Sequence, residues 1–184
     1  MTAFILRRNL KIFVLSGLAG GTCLGIIASS HYGSGTGAIT GLCTGILFGA
    51  AMYLILGFFH TRAVEKIAGA VTEKTIGTLH SRELTLDLPV EQAFDRCLSS
   101  LQRIGRCTVL EQDRGRGRIA ARSSVNWKTW GDIILFDIAL DRSHRTRITL
   151  SSRPSSRMTI VDYGKNLENV NAIVSFLKAD QNNP

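Results

Sequence analysis

Residues 37–59 read GAITGLCTGILFGAAMYLILGFF, a stretch with no Lys, Arg, Asp or Glu. It exceeds the roughly 20 apolar residues that a helix needs to cross the hydrocarbon core of a bilayer. Glycine recurs through it and just before it at every fourth position: Gly33, Gly37, Gly41, Gly45 and Gly49. Residues four apart lie on nearly one helix face. That face is therefore a groove without side chains, into which another backbone fits closely, an extended form of GxxxG packing.

Upstream, residues 10–30 read LKIFVLSGLAGGTCLGIIASS and repeat the spacing at Gly17, Gly21 and Gly25. Backbone groups in lipid must bond within their own segment, so both stretches are expected to be helices, joined as a transmembrane hairpin packed through a glycine zipper. The two helices of one hairpin packing on each other is the simpler use of the grooves, and oligomerisation is the second. A second span directly after the first argues against a cleaved signal. Arg7, Arg8 and Lys11 precede the first span, Arg62, Lys66 and Lys74 follow the second, and residues 29–36 hold no Lys or Arg. The positive-inside rule then predicts a multi-pass protein of a bacterial inner (plasma) membrane with both termini in the cytoplasm.

The net charge of +8 divides evenly: 16 basic against 12 acidic residues from Arg82 onward, and 6 against 2 before it. The excess beside the spans suits an anionic membrane face. Nucleic-acid binding is not expected, because the later excess is modest and no recognition motif accompanies it. Cys23 and Cys43 lie in the apolar stretches, and Cys97 and Cys107 have no CxxC spacing, so free thiols are expected.

Residues 60–78 place Val64, Ile67, Ala68 and Val71 at helical spacing opposite charged residues, which predicts an amphipathic connector helix that either continues the second span or lies along the membrane surface. Residues 79–180 then form an α+β domain, and 181–184 a tail. Leu84, Leu86 and Leu88 alternate as a strand. A helix follows from Pro89, burying Phe94, Cys97, Leu98 and Leu101. Four further strands are expected at 107–112, 118–124, 131–141 and 146–153, and a last helix at about 162–178. The order β-α-β-β-β-β-α implies an antiparallel sheet whose one apolar face is covered by both helices.

The segments WKTWGDI (127–133), SSRP (151–154) and TIVDYGKNLENV (159–170) are similar to those of an uncharacterised bacterial membrane-anchored family. The resemblance covers about the last half of the chain. It implies a small START-like or helix-grip-like α+β domain and membrane association, and supplies no activity. A TBP-like sandwich has a similar element order, and both arrangements stay open.

Trp127 and Trp130, at the entry to the strongest strand, are candidate lips of an apolar pocket, with Phe94 and Phe136 deeper inside. Around VDYGKN, Asp162 is a candidate helix cap, paired with Arg153, while exposed NH groups assisted by Lys165 and Arg153 are a candidate anion site. Arginines 114, 116 and 118, and 142, 145 and 147, gather at two hairpin tips. Asp132, Asp137 and Asp141 lie along one strand without an evident point of convergence. His31, His60, His80 and His144 show no metal-ligand spacing, and no nucleophile motif is visible, so neither an enzyme nor a cofactor is expected. The reading is a membrane-tethered cytoplasmic binding module for a lipid or other apolar ligand. The alternative is an interaction protein that oligomerises through its glycine helices and docks a cytoplasmic partner.

Overall fold

A computed structural model describes residues 3–179. The expected tail at 181–184 lies outside them. The chain divides into two compact units, Met1–Ile76 and Gly77–Pro184.

The first unit is a helical hairpin. α1 (Ala3–Tyr32) and α2 (Ser34–Ala68) are both long and apolar enough to cross a membrane, with mean hydropathy 1.9 and 2.1. Gly33, at φ 88°, makes the turn between them. The glycine rows meet face to face in antiparallel register. A Cβ on Gly17 would stand 2.8 Å from the carbonyl oxygen of Gly45, one on Gly21 would stand 2.5 Å from that of Gly41, and one on Gly25 would stand 3.1 Å from that of Gly37. Gly49 fits against Phe13, whereas a Cβ on Gly33 would meet nothing within 4 Å. The zipper is thus occupied within the hairpin. Ser and Thr hydroxyls turn back onto helix carbonyls, as Thr44 does on Thr40 (2.6 Å) and Ser30 on Ile27 (2.8 Å), so no hydroxyl of these faces the apolar surround unsatisfied. Near the open end, the Arg8 guanidinium bonds to Asn9, to the Gly57 carbonyl and to Thr61. Leucine, isoleucine and phenylalanine side chains point outward along both helices.

The amphipathic stretch after the second span is not a separate helix. α2 runs unbroken through it to Ala68 and stops at Gly69, whose φ of 71° closes a left-handed C-cap on Glu65. A single turn, α3 (Glu73–Ile76), follows.

The second unit begins with β1 (His80–Leu86) and α4 (Val90–Ser100), which a 3-10 turn at Leu101–Ile104 extends. Then come β2 (Cys107–Asp113), β3 (Arg118–Ser123), β4 (Asp132–Leu140), β5 (Thr146–Pro154) and α5 (Lys165–Ala179). All pairings are antiparallel, in the spatial order β1-β5-β4-β3-β2. Pro89 serves as the N-cap of α4 rather than its first residue, since its φ of −56° is set by the ring while its ψ of 147° is still extended. One face of the sheet carries Leu84, Leu86, Ile119, Ile134, Phe136, Ile148 and Leu150. These pack with Phe94 and Cys97 of α4 and Val170, Ile173 and Leu177 of α5 in one core. Burial of each large side chain contributes roughly 2–3 kcal/mol. The opposite face carries Arg122, Ile133 and Arg153 in one cross-strand row.

Candidate functional site

Antiparallel pairing gives the sheet two ends. The β2–β3 and β4–β5 turns sit at one. The loops 124–131 and 155–164 sit at the other, with the start of β1, since His80 pairs with Ser152. The two ends differ in chemistry.

At the turn end, four of the six hairpin-tip arginines are paired. Arg114 bonds to Glu91 (2.8 Å) and Asp95, Arg116 lies 3.8 Å from Asp113, Arg118 lies 3.5 Å from Asp137, and Arg145 lies 3.8 Å from Asp87. Arg114 also lies over the Phe94 ring, and its two carboxylates raise its already high pKa further.

At the other end, large apolar side chains stand in the open. Trp127 is 80% exposed, Trp130 72% and Met158 88%. Trp127 leans on Tyr163, ring centroids 5.6 Å apart, and Lys128 lies over the Trp127 ring. Lys128 and Lys165 share one carboxylate, Glu168, at 2.9 and 3.1 Å. Burial alone would raise the Glu168 pKa, but the two lysines outweigh it and hold the carboxyl below its usual range. Arg106, Arg122, Arg153 and Arg157 make no ion pair among the described residues. A shallow depression of about 420 Å³ is lined by Arg106, Thr108, Leu110 and Arg122.

Beneath this surface lies a polar network inside the domain. Asp132, Ser152, Asp162, Asn166 and Asn169 are all at most 1% exposed. Asn166 Nδ2 donates to Asp132 (3.1 Å) and to Asp162 (2.9 Å), and its Oδ1 accepts from Ser152 Oγ (2.7 Å). Asn169 Nδ2 donates to the second Asp132 oxygen and to Ser152 Oγ. Ser123 Oγ accepts from the Asp132 backbone NH. Asp162 also accepts from the backbone NH of Gly164 and of Asn166, so it caps α5. Tyr163 takes the uncommon φ of 51° between these bonds, and Gly164 follows at φ 71°. The network ties β3, β4, β5 and α5 to the two loops that carry the tryptophans and Met158.

Several sequence expectations change here. Phe94 and Phe136 are each 1% exposed within the packed core, far from the environment of the exposed tryptophans. Sequence reasoning joined the four as a pocket, and the structure separates them into core and surface. The helix N-terminus offers no open anion site, because Asp162 already takes its NH groups and Lys165 is engaged by Glu168. Arg153 does not pair with Asp162. Asp132, which the sequence left along a strand, converges with Asp162 through Asn166. The signal for the network was present. Asn166 and Asn169 lie on the same stripe of α5 as Ile173, where an amphipathic helix should be apolar.

Other reactive groups are enclosed. Burial pushes the Cys97 thiol up to about 12 and raises that of Cys107. His80 is 5% exposed and holds the Gly77 carbonyl at 2.7 Å. Among the described residues, no group of three or more His, Cys, Asp or Glu side chains is arranged to hold a metal ion. Neither the models of known protein families nor the curated proteins contain a match to this chain.

Proposed function

We propose that this protein is a membrane-tethered binding module, held in a bacterial plasma membrane by its helical hairpin with the α+β domain in the cytoplasm. Its binding surface is the tryptophan end of the sheet. The observation that carries this reading is the exposure of Trp127, Trp130 and Met158 on loops fixed from beneath by the Asp132–Asn166–Asp162 network. Large apolar side chains left open cost solvation, and rigid backing removes the entropy loss that ordering them on binding would bring. Binding is favoured over catalysis because the groups this end presents are aromatic and cationic, while Asp132 and Asp162 are buried and Glu168 is held between two lysines. A surface contact replaces the interior ligand pocket as the mode, since Phe94 and Phe136 fill the space between sheet and helices.

A photo-crosslinking residue at Met158 of the full-length chain, irradiated in native membranes, tests the reading. An adduct is expected there and not from the same residue at Ser143, in the β4–β5 turn. Equal background at both positions would end it.

A further inference from the structure

We infer that the tryptophan end docks on the surface of an anionic lipid bilayer. Trp127, Trp130 and Met158 enter the interfacial layer, and Arg106, Arg122, Arg153 and Arg157 face the headgroup phosphates. The inference rests on the reading of this end as the binding surface and names its partner.

Three independent observations converge. The first is the split in charge. At the turn end Arg114, Arg116, Arg118 and Arg145 each lie beside a carboxylate and Arg142 and Arg147 do not, while all four arginines of the tryptophan end have none among the described residues. The only acidic residue in the loops 124–131 and 155–164 is Asp162, which is buried. The exposed surface there is therefore cationic, complementary to anionic headgroups. The second is the kind of apolar group. Tryptophan has an amphipathic ring that settles at the boundary between hydrocarbon and water, and arginine bonds phosphate through a planar fork. The third is the direction of the chain. The polypeptide leaving the apolar hairpin enters the domain at His80, which pairs with Ser152 at this end of the sheet. The covalent link to the two candidate membrane-spanning helices thus joins the domain where the tryptophans are.

The chain contains only two tryptophans, Trp127 and Trp130. Tryptophan emission of the full-length protein, excited at wavelengths that tyrosine does not absorb, therefore reports on this end alone, with no background from Tyr32 and Tyr53 of the hairpin. The experiment reconstitutes the full chain into nanodiscs of phosphatidylcholine, with or without phosphatidylglycerol, using acyl chains brominated to quench nearby indoles. Docking predicts blue-shifted and quenched emission in the anionic discs, reversed by high salt. Arg106→Glu with Arg157→Glu should lower the docked-to-free ratio about fivefold or more per charge. Arg116→Glu with Arg142→Glu, the same charge change at the turn end, should leave the ratio in place. Emission that stays water-like and unquenched in both disc types would overturn the inference. So would quenching that ignores both lipid charge and the Arg106 and Arg157 reversals. If the discs fail to quench while Met158 crosslinks to a protein in native membranes, the binding surface stands and the lipid partner falls. If neither occurs, both fall.

Discussion

At the scale of single residues, the domain depends on amides inserted between carboxyls. Asn166 gives one NH to Asp132 and another to Asp162 while accepting from Ser152, so its removal takes a hydrogen bond from each of three buried groups. An acceptor left without a donor in the interior costs about 1–3 kcal/mol. Asn166→Ala should therefore destabilise the domain by about 3 kcal/mol or more, read from the urea midpoint of residues 77–179. Asp132→Leu combined with Asn169→Leu should cost less than the sum of the two single changes, because each alone leaves the other's polar atoms unsatisfied. A second residue-scale effect concerns His80. Burial lowers its pKa, and the Gly77 carbonyl and Asp162 only partly offset this. Its folded value lies below the unfolded one, so the unfolded chain takes the proton first as pH falls. Stability is then full above the ordinary histidine value of about 6.5 and declines below it toward the folded pKa. Denaturation midpoints from pH 8 to 5 should show this slope, and His80→Gln should flatten it. The sequence named Asp162 as a helix cap and left Asp132 isolated. The link between them runs through residues 34 apart in the chain, a distance that no local pattern can bridge.

At the scale of elements, two glycine-dependent contacts set the geometry. In the hairpin, a Cβ on Gly21 would come within 2.5 Å of the Gly41 carbonyl, so Gly21→Leu must push α1 and α2 apart. Spin labels at Leu18 of α1 and Ile46 of α2, which line the same groove beside the seam, should report a longer distance in the variant. Because Gly17 to Gly49 are already occupied inside one hairpin, the substitution is expected to alter helix spacing rather than the number of chains per particle. In the sheet, Gly117 sits at φ 65° in the β2–β3 turn, where a Cβ would stand 1.9 Å from the Ile138 carbonyl. Gly117→Ala meets both the dihedral penalty and backbone overlap, and should lower stability by about 2–4 kcal/mol in the same urea assay. The elements themselves were legible from alternation and helical spacing. Strand ends fell within a residue or two of expectation because Pro154, Pro89 and the turn glycines mark them. The connector was less legible. Its amphipathic pattern continues the period of α2 without a break, and only Gly69, at φ 71°, marks the true end.

At the scale of the whole molecule, the chain is two compact units, each with its own internal packing. Residues 77–179 expressed alone should unfold cooperatively and keep the near-ultraviolet circular dichroism that Trp127 and Tyr163 give in the full chain. Loss of that signal on removing the hairpin would mean that the domain depends on it. The division into hairpin and domain was legible in the charge distribution, since residues 12–59 carry no Lys, Arg, Asp or Glu. The position of the proposed binding surface was not, because which arginines lack partners depends on the folded register of the sheet. The buried network also bears on how such a chain drifts over generations. Asp132, Asp162, Asn166 and Asn169 bond to one another inside the domain, so a change at one alters what the others require. Lineages that keep this domain should inherit the four as a linked set, and a branch that replaced one with an apolar residue should have replaced its partners as well.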